Sequence, residues 1–186
     1  MQRHYFLAVK LPDEAKTKLA KICSHLKNEH QFKTWVHPED FHITLAFLGV
    51  ASSEKIEKLH ELLNEKIMIK TENVFSLQIN QFGFFGNEQH PRIFWAGVED
   101  EPFLYTLQKQ VAYVCEKVGF QLDKRSYAPH ITLARKHIES AHHLVDSHKW
   151  WKQYGENIQF HADQFVLYET HIEKQPKYHV LHSYSI

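Results

Sequence analysis

Glycine and proline are scarce in this chain, at six residues each among 186. Their scarcity excludes a collagen-like repeat and leaves no Gly/Pro-rich linker to divide the chain. Cysteine is scarcer still. Cys23 and Cys115 stand alone, with no CxxC or CxxxC spacing. That argues against a disulfide framework or a cysteine-based metal site, and two reduced thiols packed in helices are expected. No run approaches the ~20 apolar residues of a membrane-spanning helix. The opening MQRHYFLAVKLP lacks the length and the cleavage site of a signal peptide. A soluble, cytoplasmic protein with no membrane partner is expected. Net charge is missing too, with 22 basic against 22 acidic groups. A broad basic face for polyanions is therefore not expected, whereas a local cluster for a small phosphate or a nucleic-acid end is compatible with this balance.

Histidine is abundant instead, at sixteen residues. His137, His142, His143 and His148 come nearest to metal-ligand spacing, but no HExxH and no supporting carboxylate pattern accompanies them. They read as exposed, merely abundant histidines. No metal and no cofactor is expected.

Apolar periodicity gives an alternation of strands and helices. HYFLAVKL reads as a strand, and DEAKTKLAKICSHLKNEH as a helix with Ala15, Leu19, Ile22 and Leu26 on one stripe. TWVHPED reads as a turn and FHITLAFLG as a strand closed by Gly49. SSEKIEKLHELLNEKIM follows as a helix with Ser52 or Ser53 as N-cap and Ile56, Leu59, Leu63 and Ile67 inward. VFSLQINQFGFF and RIFWAGVE read as strands about the turn GNEQHP. PFLYTLQKQVAYVCEKVG is a helix ended by Gly119, and YAPHITLAR a strand. ESAHHLVDSHKWWKQYG reads as a helix, then IQFHADQFVLYET and YHVLHSYSI as two closing strands.

One pentapeptide occurs twice. His-Ile-Thr-Leu-Ala starts at His42 and again at His130. Average composition gives roughly 0.1 His-x-Thr-Leu matches for this many histidines. Each copy follows a strand and a helix, Tyr5 preceding His42 by 37 positions and Phe94 preceding His130 by 36. A duplicated β-α-β unit explains this. We expect an α+β fold in one bilobal domain over residues 1–186. Each of two pseudo-symmetric lobes would carry a largely antiparallel sheet and flanking helices around a central cleft.

Strand alternation puts Ile43, Leu45 and Phe47 toward the core, and His42, Thr44 and Ala46 toward the cleft. The second copy sends Ile131 and Leu133 inward, and His130, Thr132 and Ala134 outward. Two opposed histidines suit in-line displacement at phosphorus. One imidazole takes a proton from the attacking oxygen and the other gives one to the leaving oxygen, since the ordinary pKa lets both forms coexist near neutrality. Thr44 and Thr132 are candidate donors to the phosphate oxygens. Arg135 is a candidate phosphate contact, if the strand end bends. Trp35, Phe84, Phe85 and Tyr127 are candidates for base stacking, while Trp95, inside a strand, reads as core.

These segments resemble the 2H phosphoesterases, and within them the RNA 2′,3′-cyclic phosphodiesterases, or 2′-5′ RNA ligases. WVHPEDFHITLAFLG resembles the first motif region, HPRIFWAGV the central strand, YAPHITLAR the second motif and FVLYETHIEKQPKYHVLHSYSI the closing strands. The resemblance implies His42 as general acid, His130 as general base, and Thr44 and Thr132 as phosphate holders. It implies metal-independent opening of 2′,3′-cyclic phosphate to 2′-phosphate, with the reverse sense behind the ligase name. RNA ends or small cyclic nucleotides would be the partners, and a monomer is expected. Alternatives are ADP-ribose 1″,2″-cyclic phosphate or 2′-5′ oligoadenylate as substrate, or a nucleotide- or RNA-binding module without turnover. Ala46 stands where many relatives carry a basic residue, which implies a weaker positive contact from the first strand.

Overall fold

The structure is a computed structural model, and it describes residues 3–66, 75–87, 90–138 and 146–186. In chain order the elements are β1 (His4–Lys10), α1 (Asp13–Glu29), β2 (Phe32–Trp35), a 3-10 turn (Pro38–Asp40), β3 (His42–Val50), α2 (Ser53–Lys66), β4 (Phe75–Asn87) and β5 (His90–Val98). Then come α3 (Pro102–Val118), β6 (His130–His137), α4 (Ser147–Tyr154), β7 (Ile158–Ala162), β8 (Gln164–Thr170) and β9 (Tyr178–Ser185).

The strands make one antiparallel sheet in the order β7-β4-β5-β6-β3-β1-β8-β9, with β2 beside β6. Its centre is the seam between the two pentapeptide strands. They touch through one register pair, Ile43 with Ile131. The sheet divides there into a β3-β1-β8-β9 half and a β6-β5-β4-β7 half, which are the two expected lobes. Helices cover one face. Leu19, Ile22 and Leu26 of α1, Ile56, Leu59 and Leu63 of α2, and Leu104, Leu107 and Val111 of α3 share a core with Ile43, Leu45, Ile131 and Leu133. That stripe of aliphatic residues three or four apart is why the segments are helical and why they dock. Ser52 caps α2, its hydroxyl accepting from Lys55 N at 3.3 Å. Gly119 closes α3 at φ 91°, a left-handed turn that suits glycine. Cys23 and Cys115 are buried free thiols on α1 and α3.

Three expectations need correction. IQFHADQFVLYET is not one strand but two, because β7 pairs with β4 while β8 pairs with β1, in opposite lobes. Part of the expected turn TWVHPED is strand, since β2 lies against β6. The helix around residue 147 starts at Ser147, capped by the Asp146 side chain, which accepts from Lys149 N at 3.0 Å. Ile67, and residues 139–145 with His142 and His143, lie outside the described residues. His148 is exposed, but His137 is buried against Phe32, contrary to the expectation of surface histidines.

The alternation along the pentapeptides also breaks, in the same place in both. In β3, Thr44 pairs with Ala8 and Ala46 with Leu7, so Leu45 is an extra residue. In β6, Thr132 pairs with Trp95 and Ala134 with Phe94, so Leu133 is extra. A bulge of this kind leaves two successive residues on one face and reverses everything beyond it. Ala46 and Ala134 therefore join the core rather than the cleft. Phe47, expected inside, is 57% exposed. Arg135 turns to the face of His130 and Thr132.

Gly83 permits another close approach. A Cβ there would lie 2.1–2.7 Å from three ring atoms of Trp95. Gly83→Ala is expected to cost ~1–3 kcal/mol, as overpacking does. Denaturant unfolding checks this, and unchanged stability would show that the indole swings aside freely.

Candidate active site

The open face carries the chemistry of both pentapeptides. In the first lobe His42 pairs across the ladder with Lys10, and Thr44 with Ala8. Behind them Phe6, Ala8, Val166 and Tyr168 form a small buried cluster of their own, closed by Tyr178. Phe6 and Tyr178 hold the His42 ring at 4.8 and 5.2 Å between centroids. In the second lobe His130 pairs with Gly97, Thr132 with Trp95, and Arg135 with Ile93. Phe85 meets the His130 ring edge-on at 4.8 Å.

Both imidazoles are anchored in the same way. His42 Nδ1 lies 2.7 Å from the Asp40 carbonyl oxygen, and His130 Nδ1 lies 2.8 Å from that of Ala128. A carbonyl only accepts, so Nδ1 carries the proton in each neutral ring and Nε2 is left bare. Among the described residues neither Nε2 has a hydrogen-bond partner. Asp40 does more than hold His42. Its buried carboxylate accepts from Lys177 N at 2.9 Å and Tyr178 N at 3.0 Å. One residue thus sets the His42 ring and the strand that brings Tyr178 against it. From the other lobe, the Arg135 guanidinium approaches the Tyr178 hydroxyl.

The aromatic candidates divide by strand face. Phe85 and Tyr127 lie near His130, and both line a hollow beside it. Trp35 and Phe84 are corrected: both pack against Phe94 on the helical side, because Trp35 pairs with Ala134 and Phe84 with Phe94. Trp95 is corrected in the other direction. It lies beside Thr132 on the open face, not in the core. Lys10, Asp40, Tyr178 and Trp95 were missed as site residues. The repeat gave no signal for them, since IFWAG set against YFLAV places Trp95 with Leu7, a core residue. A larger hollow of about 420 Å³ lies between α1 and the end of α4, lined by Lys21, His25 and Tyr154. None of the paired histidines reaches it.

A family model described as the 2′-5′ RNA ligase superfamily matches residues 11–172. The chain belongs to the 2′-5′ RNA ligase superfamily. It is 38% identical over 183 residues to an RNA 2′,3′-cyclic phosphodiesterase of Geobacillus stearothermophilus, covering 98% of this chain and 57% of that protein's length. It is 33% identical to the protein of that name from Bacillus subtilis, covering 98% of this chain and 96% of the relative. Among solved structures, E. coli LigT complexed with 3′-AMP has the same fold, with a TM-score of 0.78 over 100% of this chain and 99% of that one, at 23% identity.

In this member of the superfamily, Ala46 does not stand in the place that mirrors Arg135. The bulges pair Ala46 with Ala134 in the core, and Phe47 holds the mirror position. The positive charge of the cleft therefore comes from Arg135 on one strand and from Lys10, beside His42, on the neighbour of the other.

Electrostatics separates the histidines. Burial pushes the His42 imidazole from 6.5 down to about 4; the Asp40 carbonyl and charge oppose this, while Arg135 and His130 add to it. Burial also lowers His130, again opposed by its carbonyl partner and assisted by Arg135. Both lowered values leave the rings neutral at pH 7. Anionic phosphate placed among these groups favours their charged forms, most strongly where water is excluded. In an NMR titration His42 is expected to titrate near pH 4 and His130 below 6.5. Added inorganic phosphate is expected to raise both midpoints. An ordinary, phosphate-insensitive His42 midpoint would contradict the described burial.

Proposed function

We propose that this chain opens 2′,3′-cyclic phosphates at RNA or nucleotide ends to 2′-phosphates, by acid–base catalysis from His42 and His130 and without a metal. The observation that carries this is the matched anchoring. Two imidazoles, each with Nδ1 fixed by a backbone carbonyl, leave two Nε2 atoms free on one face, each with a threonine two residues on. The relatives named RNA 2′,3′-cyclic phosphodiesterase support the same chemistry.

The residues act as follows. Water enters in line with the departing O3′, and His130 Nε2 takes its proton. The P–O3′ bond breaks, and the His42 imidazolium gives its Nε2 proton to O3′. The product carries a 2′-phosphate and a 3′-hydroxyl. Thr44 and Thr132 donate to the nonbridging oxygens, where charge grows in the transition state, and Arg135 balances that charge. The acid and base roles follow the superfamily resemblance. Burial lowers His42 to about 4, which makes its imidazolium scarce but a stronger acid. The same burial amplifies its attraction to a bound phosphate. An RNA 5′-hydroxyl in place of water would give a 2′-5′ phosphodiester by the same steps. No helix among the described residues is long and apolar enough to cross a membrane. A monomeric, cytoplasmic enzyme acting on RNA ends completes the proposal.

His42→Ala and His130→Ala are each expected to lower turnover of a 2′,3′-cyclic-phosphate oligonucleotide by at least ~10²–10⁴-fold, as loss of one proton transfer does. Full activity in either folded variant would refute the two-histidine mechanism. EDTA is expected to change nothing, and loss of activity in EDTA would overturn the metal-free reading.

The active form holds one proton between two lowered groups, so its population peaks between their two pKa values, both below 6.5. The kcat/KM profile should therefore be bell-shaped with its maximum on the acid side of 6.5. The kcat profile should sit higher in pH, because bound phosphate raises both groups. The opposite order of the two profiles would contradict this assignment.

A further inference from the structure

The two lobes differ beside their histidines. Across from His42 stands Lys10, and across from His130 stands Gly97, which has no side chain. At Gly97 the neighbours close in: a Cβ would fall 2.6 Å from Gln81 Cγ and 2.9 Å from Trp95 Cζ3. The result is a hollow of about 240 Å³ flanking His130, walled by Phe85, Trp95, Tyr105 and Tyr127. That is smaller than the ~300–1,000 Å³ of sites for drug-sized ligands, and suits one flat ring system. Two of its wall residues carry buried polar atoms without a partner, Trp95 Nε1 and Tyr127 Oη. Buried donors left unpaired are costly, and they mark a place where something else supplies the partner. At the rim, Asp100 accepts from the Tyr105 hydroxyl at 2.8 Å through Oδ1, leaving its second oxygen for a ligand amino group.

We infer that this hollow seats the terminal nucleobase of the substrate, and that the RNA leaves the cleft on the opposite side, past Lys10. The step that links them is stereochemical and rests on the proposed function, with His42 as acid. In a 2′,3′-cyclic phosphate the attacking oxygen enters opposite O3′. The line from O3′ through phosphorus leans toward the C2′ side of the ribose. C1′ and the base are attached on that side, whereas C4′, C5′ and the upstream strand are attached on the C3′ side. A base catalyst at His130 and an acid at His42 therefore place the nucleobase toward His130 and the 5′-ward phosphodiester toward His42. The hollow and the lysine stand in those two places. Aromatic walls accept any base by stacking, and the two unpaired donors, which present almost no surface themselves, reach ring nitrogens or carbonyls once their rings turn toward a seated base.

The test compares kcat/KM for adenosine 2′,3′-cyclic phosphate with that for methyl riboside 2,3-cyclic phosphate, which lacks a base. Trp95→Phe and Tyr127→Phe each remove one donor and keep a ring. Each is expected to shrink the base-bearing to base-free ratio by about 3–10-fold. Tyr127→Phe should not lower Tm, because the deleted hydroxyl satisfied nothing within the protein; Trp95→Phe also removes indole atoms packed against Gly83, so its ratio is read at a temperature where circular dichroism shows it folded. Lys10→Ala should leave that ratio alone and reduce the advantage of a 5′-extended dinucleotide cyclic phosphate over the mononucleotide. Equal losses on both substrates, no loss, or a base-dependent loss from Lys10→Ala would overturn the assignment. If no cyclic phosphate is turned over, the proposed function fails on its own. Calorimetric binding of adenosine 2′-monophosphate against ribose 2-phosphate, with the same variants, then decides the hollow separately. Discrimination that Trp95→Phe and Tyr127→Phe abolish supports it, and equal binding of the two ligands rejects it.

Discussion

Everything at the cleft depends on one ladder contact, the pairing of Ile43 with Ile131. These are the second residues of the two pentapeptides. Antiparallel pairing at that position sets each histidine next to the threonine of the other copy. Neither isoleucine is exposed at all, so the seam is held from below by the helical core while its upper face stays open. A shift of one residue at this seam would send both histidines into the core.

The second constraint is the pair of bulges at Leu45 and Leu133. Each lets two consecutive residues go inward, which tightens the strand against the helices just beyond the threonine. The consequence differs between lobes only because the next residue differs. In β6 the reversal delivers Arg135 to the open face; in β3 it delivers Phe47. Symmetric backbone thus carries asymmetric charge, while the lowering of both imidazole pKa values comes first from burial, to which Arg135 adds at each ring.

The repeat made the lobes, the helices and the paired histidines legible, because local periodicity and spacing report on local pairing. Arg135 and Ala46 were misplaced or left unexplained for a shared reason. A bulge is a register event between two strands, and a single strand shows no trace of it. Trp35 and Phe84 looked like rim residues because they border loops, yet their cross-strand partners Ala134 and Phe94 commit them to the core. Lys10 and Tyr178 come from elsewhere in the sequence, and only the sheet order β3-β1-β8-β9 brings them to His42, while Asp40 is its near neighbour and acts through the geometry of the turn before β3. Splitting IQFHADQFVLYET between lobes needed the same knowledge.

That split has a consequence for how the chain assembles. Strands β4, β5, β6 and β7 fall within residues 75–162, and β2, which joins them at β6, comes earlier still, so every strand of the His130 half precedes β8. The His42 half is begun by β1 and β3 and finished only by β8 and β9, which follow every strand of the other half. During synthesis the second lobe has all its strands before the first does. Until Tyr178 emerges, the carboxylate of Asp40 lacks the two backbone amides it binds, and His42 lacks one wall of its pocket. The β8-β9 hairpin is therefore the last-made part of the sheet around His42, and a nascent chain carries one finished histidine and one waiting for its surroundings.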